Sequence, residues 1–296
     1  MRFGDRPSTV GSVELGPVGV WWSGSWKVDV DPEIDAASEL ESMGYGAIWS
    51  SGGFDRGLSR RFGRLLESTS HLVVASGIVN VWTSGPQEVA EAVAGLEAEH
   101  PGRFLLGLGV SHQVLIEAYA NPYDRMVGYL DALDSSVPTV PRDRRVLAAL
   151  RPRMLELAAD RSGGAHPYFV PAEHSSRARQ ILGPDALLCP ELTVVLETDA
   201  SRARERARAF AAGYLAMPNY ANNLRWLGYG DADVSGAGSD RLIDAVIAWG
   251  DAESIARRVR EHHEAGADHV CLQVTGAGEG FPLEQFRELC SALSLG

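Results

Sequence analysis

Gly102-Arg103-Phe104-Leu105-Leu106-Gly107-Leu108-Gly109-Val110-Ser111-His112 is the stretch on which the fold turns. An apolar run passes into small residues and then into a polar pair, Ser111 and His112. Bulk stops where backbone must come close to something, and a titratable side chain waits at that edge. In parallel α/β proteins, ligands bind at the carboxyl ends of the strands. The edge at Ser111 and His112 is therefore the first place to look for a site.

The same pattern repeats on both sides of it. Short apolar runs read as strands at Val18–Trp22, Ala47–Trp49, Leu72–Val81, Phe104–Val110, Val146–Leu150, Ala165–Val170, Leu192–Glu197 and His269–Val274. Helical periodicity separates them. Pro32 opens a helix that stops at Gly44, and Pro86 precedes another that Pro101-Gly102 ends. Further helices are predicted at Leu58–Ser68, Tyr123–Leu133, Arg153–Ala159, His174–Leu182, from the Asp199 cap to Leu215, Ser239–Trp249, Ala252–Ala265 and Leu283–Leu293. Continuous apolar strands alternating with helices imply a parallel sheet covered on both faces. Eight such units predict an α/β fold of the (β/α)8 TIM-barrel type, one domain over 1–296, with irregular insertions near 111–142 and 218–238. A doubly wound open sheet is the runner-up, but the chain shows no natural halves.

Composition narrows the function. The chain has 296 residues, 45% hydrophobic and 22% charged, as ordinary globular domains do. Its formal net charge of -12 argues against nucleic acid or an anionic membrane as a general partner. Cys189, Cys271 and Cys290 are odd in number and lack C-x-x-C spacing, which fits reduced, buried thiols in a cytoplasmic protein. The Met1–Pro7 stretch has no apolar core of a signal peptide, and no run is long enough for a membrane span.

Several strand ends carry chemistry. Gly107-Leu108-Gly109 begins a dinucleotide fingerprint, but His112 stands where the third glycine belongs. The glycines read either as close helix–sheet packing or as backbone approach to a flat ring. His112 titrates near neutrality and is the candidate acid–base residue. Ala75-Ser76-Gly77-Ile78-Val79-Asn80 interrupts an apolar strand with Gly and Asn, which marks a bulge or close packing. Gly163-Gly164-Ala165-His166-Pro167-Tyr168 ends another strand, and His174-Ser175-Ser176-Arg177 offers a helix start with hydroxyls and an Arg for a phosphate, or ordinary capping. Trp21, Trp22, Trp49 and Trp82 fall at strand ends and suggest a wall for a planar ligand, or core aromatics. Pro218–Asn223 reads as a polar, aromatic lid or a surface loop. There is no H-E-x-x-H motif or His/Asp cluster for a metal.

Taken together, the chain resembles the luciferase-like monooxygenase class, and most of all its actinobacterial branch of coenzyme F420-dependent oxidoreductases. The stretches that carry the resemblance are Gly44–Trp49, Ala75–Asn80, Gly102–His112, Ala148–Ala159, Gly164–Tyr168, Leu215–Leu224, Trp249–Asp251 and Gly266–Val270. The resemblance implies a TIM barrel that holds an isoalloxazine-like ring at the strand ends. It implies a non-prolyl cis peptide at Gly77-Ile78 behind the ring, with Ser111 and His112 beside the reacting centre. The segment after Gly164 is placed near the phosphate and tail. The implied cofactor-binding set is Trp49, Ser51, Gly77, Ile78, Asn80, Gly109, Ser111, Ala165, His166, Tyr168 and Arg177, with His112 catalytic. The chain departs from the sugar-phosphate dehydrogenases of this class, whose His after the second strand is absent from Ser50-Ser51-Gly52-Gly53-Phe54. F420 is the expected cofactor, for hydride exchange with a small organic substrate. FMN in a monooxygenase and a non-catalytic deazaflavin-binding protein are the alternatives. A homodimer is a family expectation.

Overall fold

A computed structural model of the chain describes residues 9–10, 13–22, 31–51, 56–113, 116, 119–278 and 280–295. The Met1–Pro7 stretch, Gly52–Phe54 and parts of the 111–142 insertion lie outside them. Among the described residues, parallel strands close into a barrel wrapped by helices. The barrel strands are β1 (Val18–Trp22), β2 (Ala47–Ser50), β3 (Val73–Ser76), β4 (Phe104–Gly109), β5 (Arg145–Leu147), β6 (Gly164–Ala165), β7 (Glu191–Leu196) and β8 (Val270–Val274). Register runs through Val20 beside Ile48, Ile48 beside Val74, Val74 beside Phe104, Gly107 beside Val146 and Leu147 beside Ala165. Ala165 then pairs with Leu188, just ahead of β7. Leu192 pairs with Leu272, and Cys271 pairs with Gly19, which closes the ring.

The apolar runs are continuous because both strand faces are buried. Val18, Val20, Ile48, Val74, Leu106, Leu147, Leu192 and Leu272 face outward and pack beneath the helices. Their neighbours Trp21, Ala47, Trp49, Ala75, Leu105, Val146, Cys189 and Cys271 fill the barrel. The helices are α1 (Asp31–Ser42), α2 (Arg56–Glu67), α3 (Pro86–Glu99), α4 (Pro122–Asp134), α5 (Pro152–Arg161), α6 (Ala172–Leu182), α7 (Ala200–Leu215), α8 (Pro218–Leu227), α9 (Asp231–Val234), α10 (Asp240–Val246), α11 (Ala252–Glu264) and α12 (Leu283–Leu293). No helix among the described residues is long and apolar enough to cross a membrane. Cys189 and Cys271 are buried and unbridged, and Cys290 is half-buried.

The structure corrects the sequence reading in three places. The segment 218–238 is not irregular: it holds α8 and α9. Pro218 opens α8 at its first turn, Tyr220, Ala221, Leu224 and Leu227 form its buried face, and Gly228 ends it in the left-handed region at φ 102°. The predicted helix Ser239–Trp249 stops at Val246, and Ile247–Gly250 is a strand paired with Thr193–Leu196 of β7. The third strand breaks after Ser76, and Val79–Asn80 resumes pairing with β4 at Leu108 and Gly109. Between the two pieces the Gly77–Ile78 peptide is cis.

A second apolar cluster lies outside the barrel wall. It joins α7, α8, α10 and the Ile247–Gly250 strand through Phe169, Val195, Ala211, Tyr220, Leu224, Ile243 and Ile247.

Candidate active site

A cavity of about 380 Å³ opens at the carboxyl ends of the strands, and Gly77, Ile78, Gly109, His112, Tyr168 and Tyr220 are among the residues that line it. One side is backbone. Gly107 has no room for a side chain, since a Cβ there would stand 2.0 Å from the Ser76 carbonyl oxygen. A Cβ on Gly109 would stand 2.6 Å from Ile78 Cδ1. These glycines let β4 lie close against the interrupted third strand, and they leave Ile78 on the cavity surface. Asn80 lines the same side and accepts the Trp82 N–H on its Oδ1 at 3.0 Å.

The facing side is aromatic. Tyr168, Tyr214 and Tyr220 line it, and Tyr168 is bonded through its hydroxyl to Gln273 on β8 and, at 2.8 Å, to the Tyr214 hydroxyl. Glu191 is fully buried nearby, where it accepts the Phe169 N–H and the Thr193 hydroxyl. Burial pushes its carboxyl up to about 7.

His112 sits at the rim. Its Nδ1 is 3.1 Å from Asn219 Oδ1 on α8. An amide oxygen only accepts, so Nδ1 carries the proton and Nε2 is the basic nitrogen. Burial lowers the imidazole pKa, and the bond to Asn219 opposes the shift only in part. The ring is therefore neutral near pH 7. Ser111, just before it, holds φ at 55°, a left-handed conformation rare outside glycine.

The floor is built from residues the sequence placed elsewhere. His166 was expected near a phosphate, but side-chain alternation turns it into the barrel, next to Gly77. Its Nδ1–H donates to the Cys189 carbonyl at 2.7 Å, and burial lowers its pKa to about 4. Trp49 does not wall the cavity. It is fully buried one layer down, stacked on His166 at 4.2 Å and 16° and donating to His269 Nε2 at 3.0 Å. Ala165 does not line the cavity either, because the same alternation turns it outward beneath the helices. Trp21 Nε1 and His166 Nε2 are buried without a partner in the protein. An unpaired buried donor or acceptor costs about 1–3 kcal/mol.

The helix start at His174–Arg177 is committed to structure. His174 Nε2 donates to the Leu150 carbonyl at 2.7 Å, and Ser175 pairs with His262 Nδ1 at 2.9 Å. Arg177 does not reach the cavity. It lies over Trp226 and donates to the Trp226 carbonyl at 2.9 Å, closing the end of α8. Ser51, Gly77, Ile78, Asn80, Gly109, Ser111, His112, His166 and Tyr168 do come together around one space. Sequence reasoning missed Tyr214, and it held Asn219 and Tyr220 only as part of a Pro218–Asn223 lid or surface loop. The Pro218 start and Gly228 stop of α8 were the signals that would have put them on an ordered helix.

This arrangement suits a flat ring held between a backbone bulge and an aromatic wall. A family model described as luciferase-like monooxygenase matches residues 19–269. The chain belongs to the luciferase-like monooxygenase family. Membership makes it an enzyme of the oxidoreductase type. Its fold is similar to that of an F420-dependent secondary alcohol dehydrogenase in complex with an F420–acetone adduct (TM-score 0.72, 15% identity, covering 94% of this chain and 99% of that one). It is similar too to the coenzyme F420-dependent tetrahydromethanopterin reductase from Methanopyrus kandleri (TM-score 0.69, 13% identity, 94% and 99% covered). The oxygenating constituent of 3,6-diketocamphane monooxygenase from Pseudomonas putida, in complex with FMN, matches at TM-score 0.62 with 14% identity, 95% and 96% covered. No curated protein matches the chain in sequence comparison.

Proposed function

We propose that this luciferase-like protein is an F420-dependent oxidoreductase acting on a small organic substrate. One observation carries the reading: a neutral imidazole, His112, and a backbone seat for a flat ring at Gly77, Ile78 and Gly109 line the same cavity. The residues fit such a ring. Glycines keep the seat flat, and two buried polar atoms beside it have no protein partner. F420 enzymes and an FMN complex share this fold, and of the two the deazaflavin is the cofactor put forward.

A deazaflavin bound there supplies a carbon that takes up or gives back a hydride. The protein does the rest. Gly77, Ile78 and Gly109 hold the ring plane. Tyr168, Tyr214 and Tyr220 close the opposite side and keep water out. His112 handles the substrate proton at Nε2, taking it when the substrate is oxidised and returning it when it is reduced. Asn219 fixes the tautomer that leaves Nε2 basic.

Titration of the purified protein with F420 and with FMN, followed by fluorescence or calorimetry, tests this. Saturable F420 binding at least about tenfold tighter than FMN is the expected result. Preference for FMN with consumption of O2 moves the reading to a flavin monooxygenase. Binding of neither overturns it.

A further inference from the structure

Trp21 lies one residue before the end of β1 and His166 follows β6, so the two come from distant parts of the chain to one place on the cavity floor. Their side chains are 6% and 2% exposed, and Trp21 Nε1 and His166 Nε2 have no partner. The indole N–H can only donate. His166 Nε2 can only accept, because Nδ1 spends its proton on the Cys189 carbonyl. The imidazole is held in that orientation by its stack on Trp49, whose own N–H is tied to His269. Both atoms lie close to one point: a Cβ on Gly77 would stand 2.6 Å from Trp21 Nε1 and 3.4 Å from His166 Nε2. Glycine leaves that point free of a side chain, and Trp21, Gly77 and His166 all line the cavity.

Buried polar groups are almost always paired, so a donor and an acceptor left open side by side mark what the site receives. We infer that Trp21 and His166 together read the imide edge of a flavin-type ring, Trp21 donating to a ring carbonyl and His166 accepting the adjacent ring N–H. This rests on the cofactor reading above and names the part of the ring that meets the cavity floor. A carboxylate would put negative charge against the His166 lone pair; a single hydroxyl or water could answer both atoms, accepting from Trp21 and donating to His166, but N3-methylation of the cofactor would not disturb such an occupant. A carbonyl beside an N–H on a flat ring answers both. F420 and FMN share that edge, so the pair does not choose between them.

The test compares F420 and FMN, each beside its N3-methylated derivative, by fluorescence titration of the full chain. N3-methylation removes the hydrogen that His166 would accept and needs no change in the protein. It is expected to weaken binding about tenfold or more. Trp21→Phe, which keeps an aromatic ring but loses the donor and part of the indole's volume, is expected to weaken the unmethylated cofactor about tenfold. In His166→Phe the penalty for methylation should vanish. If methylated and unmethylated cofactors bind equally to the parent protein, the pair reads nothing and the inference falls while the cofactor reading stands. If neither cofactor binds, both fall.

Discussion

The Trp49 indole N–H donates to His269 Nε2 at 3.0 Å, while His269 Nδ1–H donates to the Gly16 carbonyl at 2.8 Å. Two rings inside the barrel are thereby fixed by each other, and the carbonyl just ahead of β1 fixes the second. His166 rests on this pair. The cavity floor is thus supported by a layer that does not itself line the cavity. Trp49→Phe leaves His269 Nε2 as a buried acceptor without a donor. Urea denaturation should show a loss of about 1–3 kcal/mol. Trp49→Ala removes the stack as well and should cost about 3–5 kcal/mol. Equal stability of Trp49→Phe and parent would show that the bond contributes nothing.

His112→Ala should lower turnover by about 100- to 10,000-fold, the range for a positioned acid–base group. Cofactor affinity should stay within about threefold, because the proposed ring seat is the backbone at Gly77, Ile78 and Gly109 and not the His112 side chain. Steady-state kinetics and a binding titration separate the two. Parallel loss of affinity and turnover would place His112 in the ring seat.

The pH profile follows from the same residue. Its pKa is lowered from 6.5, chiefly by burial. Substrate oxidation, which needs the neutral ring, should therefore fall only as pH drops below 6.5. Asn219→Asp puts a carboxylate on Nδ1 and should move that inflection upward. Asn219→Ala removes the bond that partly holds the pKa up and should move it down. An inflection that ignores both substitutions would separate Asn219 from the proton.

Two glycines 2 residues apart on β4 should fail differently. Gly107→Ala drives a Cβ against the Ser76 backbone at 2.0 Å, which no side-chain movement relieves. It should cost several kcal/mol or abolish folding. Gly109→Ala meets the movable end of Ile78 at 2.6 Å. It should fold, push Ile78 into the cavity and weaken ring binding about tenfold or more. Thermal denaturation and cofactor titration read the two effects. Tight binding by a well-folded Gly109→Ala protein would remove Gly109 from the ring seat.

Buried histidines should dominate the acid limb of stability. Burial lowers His166 and His174 to about 4 and His262 and His269 to about 3. Below 6.5 the unfolded chain takes up protons that these folded rings refuse. Their contribution is therefore complete above 6.5 and is lost as pH falls towards 4 and 3. Glu191 has the opposite sign. With its pKa raised from 4.5 to about 7, its contribution is complete below 4.5 and is lost as pH rises through about 7. Urea midpoints should fall from pH 6.5 to pH 4.5, and Glu191→Gln, which removes the opposing contribution, should steepen that fall. Midpoints that stay level down to pH 4.5 would mean the histidines are not held neutral.

The barrel was legible because burying both faces of a strand leaves a continuous apolar run, and Val18–Trp22 and Phe104–Gly109 are such runs. The bulge at Gly77-Ile78 showed as Gly and Asn in a strand that should have neither. Ile247–Gly250 was not legible, since its apolar residues continue the periodicity of α10 without a break in composition. The roles of Trp49, Ala165 and His166 depend on which way each points. In a strand buried on both faces, inward and outward residues are equally apolar, so the sequence carries no mark of direction. Arg177 misled for another reason. An Arg near a helix start suits a phosphate, but it suits the carbonyl end of a neighbouring helix as well, and Trp226 decides the matter.

The Ile247–Gly250 strand takes the place beside Thr193–Leu196 that β6 would hold in a closed cylinder. The chain leaving β6 turns away at Pro167, after Glu191 N–H reaches the Pro167 carbonyl at 2.9 Å. The wall is thus split along its upper half, and Phe169, with Tyr168 packed beside it, belongs to the second apolar cluster. The site is therefore a joint between two bodies of packing. The ring seat is governed by the barrel backbone, and the face opposite it by side chains of α7 and α8. Substitutions on those two helices therefore change the face opposite the bulge and leave the barrel backbone at Gly77, Ile78 and Gly109 as it is, so the two halves of the mouth can vary independently.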